Sequence, residues 1–169
     1  MLTNIVTTGR DTTLTTRSGA RIDLKKPNVD HVTIEDIAHT LSHICRWNGI
    51  PENFFSVAEH CVMAAELAPP EHRLALLMHD CEESILGDNI TPLKNMIPEL
   101  VVLGDVIRKL IIQKFNVPYD DDVVQQYDKE QLDWEYGNII LRSYYYGLAP
   151  SDAKKLFIQK FKEYSLLIN

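Results

Sequence analysis

Two histidines and four acidic residues stand at spacings that could do chemistry. His60 closes the stretch Ser56-Val-Ala-Glu-His60, His79 opens His79-Asp80-Cys-Glu-Glu83, Leu86-Gly-Asp88 follows, and Asp128 stands alone further along. On one helix His79 and Glu83, four apart, share a face, and Asp80 lies about 100° around from His79. A short carboxylate and a longer imidazole on such neighbouring positions converge on one ion. His60 belongs to the preceding helix, which the Pro69-Pro70 break turns antiparallel so that its ring comes alongside. Asp128 would enter from a third helix packed across the pair. Two imidazoles and two carboxylates form a borderline nitrogen/oxygen donor set, suited to zinc, manganese, cobalt or ferrous iron and not to the all-oxygen cage of calcium. Four protein donors with room left over hold a water and lower its pKa toward neutrality. His31, His39, His43 and His72 show no comparable arrangement, and Asp128 taken alone reads as a surface acid.

Apolar periodicity and capping residues mark the helices that must position these groups. Thr33 caps a first helix running to about residue 45, with Ile34, Ile37, Ala38, Leu41 and Ile44 on one face. A loop over 46–55 carries Asn48-Gly49 and Pro51. Ser56-Val-Ala-Glu59 reads as a capping box, the serine accepting a backbone N–H and the glutamate reaching back to the cap. That second helix runs to about 67, and beyond Pro69-Pro70 a third is expected to continue unbroken to about 86. Residues 87–95 read as a loop with Pro92, and Pro98 opens a fourth helix ending near 115. After a turn with Pro118, a fifth helix is expected over about 122–146 with Gly147 as its stop, and Ser151 caps a last helix to about 167. Ahead of these, Ala20-Arg-Ile-Asp-Leu24 alternates like a strand, which predicts a short hairpin turning at Ser18-Gly19. The expected architecture is all-α: a single domain over 1–169, a bundle of about six helices with residues 1–32 as a β appendage.

The whole chain fits that reading. Its 169 residues suit one domain with a real core, and 45% apolar with 24% charged residues is a globular balance. A net charge of −7 makes it a poor binder of nucleic-acid polymers, which need a basic surface, but leaves room for a small phosphorylated ligand where a metal and a few cations reverse the local field. No apolar run approaches the ~20 residues that span a bilayer, and the N-terminus has no signal-peptide pattern, so a cytoplasmic protein without a membrane partner is expected. Cys45, Cys61 and Cys81 are odd in number and form no Cys-x-x-Cys pair, which argues for a reducing compartment and for buried, inert thiols in helices.

In this order, H…HD…D on successive helices, the motifs resemble those of the HD-domain metal-dependent phosphohydrolases. Arg46-Trp47 fourteen residues before His60, Leu86-Gly-Asp88 and Thr91-Pro-Leu-Lys94 extend the likeness to the bacterial 5′-deoxynucleotidases and to the small phage HD enzymes, including dATP triphosphohydrolases. The resemblance covers roughly residues 33–140. It implies an HD-type helical bundle and a homo-oligomer, located in the host cytoplasm if the chain is phage-encoded. It implies His60, His79, Asp80 and Asp128 as ligands of a divalent transition metal (zinc, cobalt or manganese). It implies Glu83 as the acid/base group that orients the attacking water or protonates the leaving oxygen, and Asp88 as acceptor from the deoxyribose 3′-hydroxyl. Arg46 would lie on phosphate, Trp47 would exclude a 2′-hydroxyl or shape the sugar site, and Thr91 and Lys94 would complete the phosphate side. Two departures stand out: the hairpin between His60 and His79 is shorter than in the longer bacterial enzymes, and Glu82-Glu83-Ser84 lacks the Glu-Asp pair that resembles alarmone hydrolases. The expected reaction is hydrolysis of the 5′-phosphate ester of deoxynucleotides, mono- to triphosphates and dATP among them, giving a deoxynucleoside and phosphate or tripolyphosphate. Alternatives are a 5′-deoxynucleotidase restricted to monophosphates, a cyclic-nucleotide phosphodiesterase, and a non-catalytic nucleotide-sensing module.

Overall fold

The computed structural model describes residues 11–168. The chain enters through a hairpin of β1 (Thr13–Thr15) and β2 (Arg21–Asp23), paired antiparallel with Leu14 opposite Ile22. Gly19, at φ +96°, makes the turn where the sequence placed it. Residues 1–10 of the expected appendage, and Asn169, lie outside the described residues. Ile22 is the hairpin's buried anchor, and the Ser18 backbone N–H and hydroxyl both donate to the Asp36 carboxylate at 2.8 and 2.6 Å. Asp36 is also the third residue of α1 (Ile34–His43), where it completes a capping box with Thr33. Burial opposes its ionisation, but the Ser18 and Thr33 donors hold its pKa at about 2.

The core is built around α2 (Val57–Leu67), whose residues from Val57 to Ala65 are buried apart from Met63. A helix apolar on nearly every side belongs at the centre of its domain, and α2 packs on α1, α3 (Arg73–Leu77), α7 (Asp121–Glu135) and α8 (Pro150–Ser165). Ser56 caps α2 as expected, accepting from the Glu59 N–H at 3.2 Å. The Glu59 side chain does not return to the cap. It is buried and accepts from the Tyr145 hydroxyl at 2.6 Å and the Leu148 N–H at 3.0 Å, tying residues 145–148 to the start of α2.

Further expectations are corrected. The third helix is broken: α3 ends at Leu77, residues 78–82 turn through i→i−3 bonds such as Glu83 N–H to Asp80 carbonyl (3.0 Å), and α4 covers Glu83–Leu86. Tightening to three residues per turn re-aims side chains, so His79 and Asp80 sit in a turn and not on a helix face. Within the loop expected over 87–95, α5 (Thr91–Met96) begins, with Pro92 in its first turn, the position a proline favours, before α6 (Pro98–Lys114). The long fifth helix ends at Glu135; a π-type turn, Tyr136–Ile140, releases the chain to an irregular course up to α8. Gly147 is therefore no helix stop. A Cβ there would meet the Phe54 carbonyl at 2.2 Å, so only glycine permits that close approach. Ala149 and Pro150, not a Ser151 cap, open α8. Counted this way, eight helices replace about six among the described residues, and the all-α class with its N-terminal hairpin stands. No helix among the described residues is long and apolar enough to cross a membrane.

Candidate metal centre and adjoining cavity

α2 delivers His60, the 78–82 turn delivers His79 and Asp80, and α7 delivers Asp128 to one point. His60 Nε2 and His79 Nε2 face each other at 3.2 Å. Asp128 Oδ1 lies 3.1 Å from the first and 3.3 Å from the second, and Asp80 Oδ2 lies 3.6 and 3.3 Å from them. Donors about 2.1 Å from one cation stand about 3.0–3.4 Å apart along the edges of an octahedron or tetrahedron, and these separations fall in or close to that range. His60, His79 and Asp128 can hold a metal ion; Cys61, His79 and Asp80 form a second, overlapping group.

The tautomers follow from the outer partners. His60 Nδ1 lies 2.5 Å from Glu135 Oε1, and His79 Nδ1 lies 2.6 Å from the Leu76 carbonyl. Both partners only accept, so each Nδ1 carries the hydrogen and each Nε2 presents a lone pair to the centre. Two bare nitrogens and two carboxylate oxygens then face one point, an arrangement that repels itself until a cation or a proton sits there. Burial opposes a proton on His79, but the carboxylates of Asp80 and Asp128 push its pKa well above the usual range. Burial also works against an ionised Asp128, and the two histidines override it and hold that carboxyl low. Burial pushes the Cys61 thiol up to about 11, so it stays neutral beside them. Cys81 is likewise buried, whereas Cys45 is half-buried and lies past α1 in a bridge to Ser56.

Beside the centre opens a cavity of about 440 Å³. It brings together all the remaining residues singled out from the sequence: Arg46, Trp47, Glu83, Asp88, Thr91 and Lys94 line it with Asp80 and Asp128. Arg46 is buried, its two Nη atoms lying near Asp80 (3.6 Å), Asp88 (3.9 Å) and Glu135 (3.5 Å), and its Nε has no hydrogen-bond partner. Glu83 Oε1 lies 3.5 Å from Lys94 Nζ, and its buried Oε2 is unpartnered. Burial, with the Asp80 and Asp88 charges, pushes the Glu83 pKa up to about 10, so it is a neutral acid at pH 7. The wall beside Arg46 is strained: Trp47 (φ 56°) and Asn48 (φ 53°) are left-handed, and Gly49 follows at φ 73°. That backbone costs a non-glycine residue roughly 1–2 kcal/mol, and strain of this kind gathers at functional sites.

Sequence reasoning missed Glu135, Gln131 and the apolar lining. Glu135 is fully buried on α7 and touches both the centre and the cavity wall. Its signal was present: Asp128, Gln131 and Glu135 are spaced i, i+3, i+7, so a ligand at Asp128 turns them to the same side. Ile50, Ile90, Pro92 and Leu132 make the cavity's apolar side, and no spacing joins the loop, α5 and α7 positions they come from.

No protein-family model matches the chain. The uncharacterized protein YfdR of Escherichia coli strain K12 is 31% identical over 169 residues, an alignment spanning 90% of this chain and 95% of YfdR. The uncharacterized protein RCAP_rcc00048 of Rhodobacter capsulatus is 41% identical over 111 residues, 60% of this chain and 57% of that protein. With near end-to-end correspondence at that identity, the chain belongs to the family of YfdR.

Proposed function

We propose that this protein is a metal-dependent phosphohydrolase that cleaves the 5′-phosphate ester of deoxynucleotides. The observation that carries the reading is the convergence of His60 Nε2, His79 Nε2, Asp80 and Asp128 on one point at the wall of a cavity holding Arg46 and Lys94. A zinc, cobalt or manganese ion bound there would polarise a phosphoryl oxygen and supply a water of lowered pKa. Without it Asp80 and Asp128 repel a phosphate.

The chain's own groups divide the remaining work. Arg46 and Lys94 draw the phosphate to the centre, and the unpartnered Arg46 Nε is the kind of buried donor that a phosphate oxygen satisfies. Glu83, whose burial beside the centre favours its protonated form, would give its proton to O5′ as water attacks the α-phosphorus and the P–O5′ bond breaks, and would take the proton that the water releases. Asp88 accepts from the 3′-hydroxyl, Thr91 completes the phosphate side, and Trp47 closes the sugar site against a 2′-hydroxyl. The base rests on Ile50, Ile90 and Leu132. Ile50 is 69% exposed, so the cavity is open on the base side; mono-, di- and triphosphates present the same α-phosphorus, and the enzyme would accept more than one of them.

Incubation with the four dNMPs, the four dNTPs and ribonucleotide controls, with zinc, cobalt or manganese, tests the reading. The expected products are a deoxynucleoside with phosphate or tripolyphosphate. Release of pyrophosphate with a surviving monophosphate, or equal turnover of ribonucleotides, would contradict it.

The same proposal includes a homo-oligomer. On α6, Glu99, Val102, Val106 and Lys109 are all exposed at spacings of three, four and three, one stripe of the helix. Antiparallel two-fold packing of this stripe sets Val102 of one copy against Val106 of the other and Glu99 against Lys109 at both ends. Light scattering should show a dimer that Val106→Glu dissociates; a monomer at every concentration would contradict the assembly.

A further inference from the structure

We propose that Glu135 is a positioning residue that locks the His60 limb of the metal centre to Trp47 in the cavity wall, so that Trp47 sets metal affinity through Glu135. The inference rests on the metal-centre reading above and extends it to a residue that the reading does not use.

Glu135 uses its two oxygens for two different jobs. Oε1 lies 2.5 Å from His60 Nδ1 and accepts from Gln131 Nε2 at 3.2 Å. Oε2 accepts from the Trp47 indole N–H at 2.9 Å and from Arg46 Nη2 at 3.5 Å. The first pair belongs to the centre and the second to the cavity. The carboxylate is fully buried, so no water can take the place of a donor that leaves. One planar group with both oxygens committed cannot rotate toward His60 without breaking from Trp47.

The far side of the bridge is a strained element. Trp47 and Asn48 sit in left-handed backbone, and the indole N–H on Glu135 is the side-chain hydrogen bond that holds Trp47 there. Release of that bond frees the turn to relax and the carboxylate to swing, and the His60 ring loses its fixed orientation. Partners of metal-bound imidazoles orient the ring and raise its basicity, and their removal typically weakens metal binding by about 10–100-fold.

Zinc affinity, measured by competition with a chromogenic chelator, tests the bridge without any turnover. Glu135→Gln keeps the volume but replaces one acceptor oxygen with an N–H₂, so it cannot accept from both His60 and Trp47. It should weaken zinc binding by about tenfold or more. Trp47→Phe keeps a ring and removes only the donor, and should weaken zinc binding about threefold or more. The double variant should bind zinc no more weakly than Glu135→Gln alone, because the wall acts through that residue. Wild-type zinc affinity in Trp47→Phe, or effects that multiply in the double variant, would overturn the proposal. Should Glu135→Gln not fold, by circular dichroism, Glu135→Asp takes its place in the cycle, since a side chain one methylene shorter cannot span both partners. The outcomes separate from those of the substrate panel. An intact zinc cycle with no deoxynucleotide hydrolysis sinks the activity and keeps the bridge, and hydrolysis with an additive cycle does the reverse.

Discussion

Glu83 owes its proposed role to where it sits. An exposed glutamate is ionised at pH 7; here burial and the neighbouring Asp80 and Asp88 push the pKa to about 10, and the acid keeps its proton. A group protonated below its raised pKa is an acid at neutral pH and loses that ability as pH rises through the folded value. Turnover should therefore fall on the alkaline side, and a pH–rate profile should lose that limb in Glu83→Gln, with kcat down by about 10²–10⁴. An unchanged profile in that variant would remove Glu83 from the proton step. The residues with chemistry were legible as a set and not one by one: a lone histidine or an acid such as Asp128 reads as ordinary helix surface, and their order and spacing along the chain singled them out. Glu135 was overlooked although it shares a helix face with Asp128, since a glutamate in an acidic helix looks solvated until the fold shows that it is buried.

Among the elements, caps and breaks decided which sequence expectations held. Thr33, Ser56 and Pro98 carry their own local chemistry and began helices where expected. The break at 78–82 has neither glycine nor proline, and it follows from packing the Leu74–Met78 run into the core while turning His79 and Asp80 toward α2 and α7. Such tertiary demands leave no mark on periodicity. Two changes test the elements that brace the site. Asp36, which joins the hairpin to α1, has a folded pKa of about 2 against an ordinary 3.8. Its contribution is fully present above the unfolded value and is lost as pH falls through the folded one. Asp36→Asn should lower unfolding free energy at pH 7 by about 2 kcal/mol in urea titrations, and by much less at pH 2. Gly147→Ala, with its Cβ driven at the Phe54 carbonyl, should cost about 1–3 kcal/mol and loosen the residue 145–148 strap from Glu59. Equal stability in either variant would mean that the contact carries no load.

For the molecule as a whole, the metal-centre reading makes stability and metal one quantity. A cation that binds the folded chain alone adds about 2.7 kcal/mol at a hundredfold excess over its dissociation constant. Chelation should then lower the melting temperature by about 5–10 °C for a chain of this size. Asp128→Asn should abolish most of that difference, because it replaces a charged carboxylate 3.1 Å from His60 Nε2 with a weaker, neutral amide at a side chain that is 37% exposed. The fold class and the helix order were readable from periodicity. The meeting of His60, His79, Asp80 and Asp128 was expected from their order along the chain, whereas the turn at 78–82 that carries two of them was not, because it holds neither glycine nor proline.

Anomalous diffraction from crystals grown with cobalt, recorded at the metal edge, would locate the cation. The expected result is one strong peak per chain, about 2.0–2.2 Å from His60 Nε2, His79 Nε2, Asp80 and Asp128. A strong peak elsewhere, or those four side chains turned away from one another around an empty centre, would contradict it.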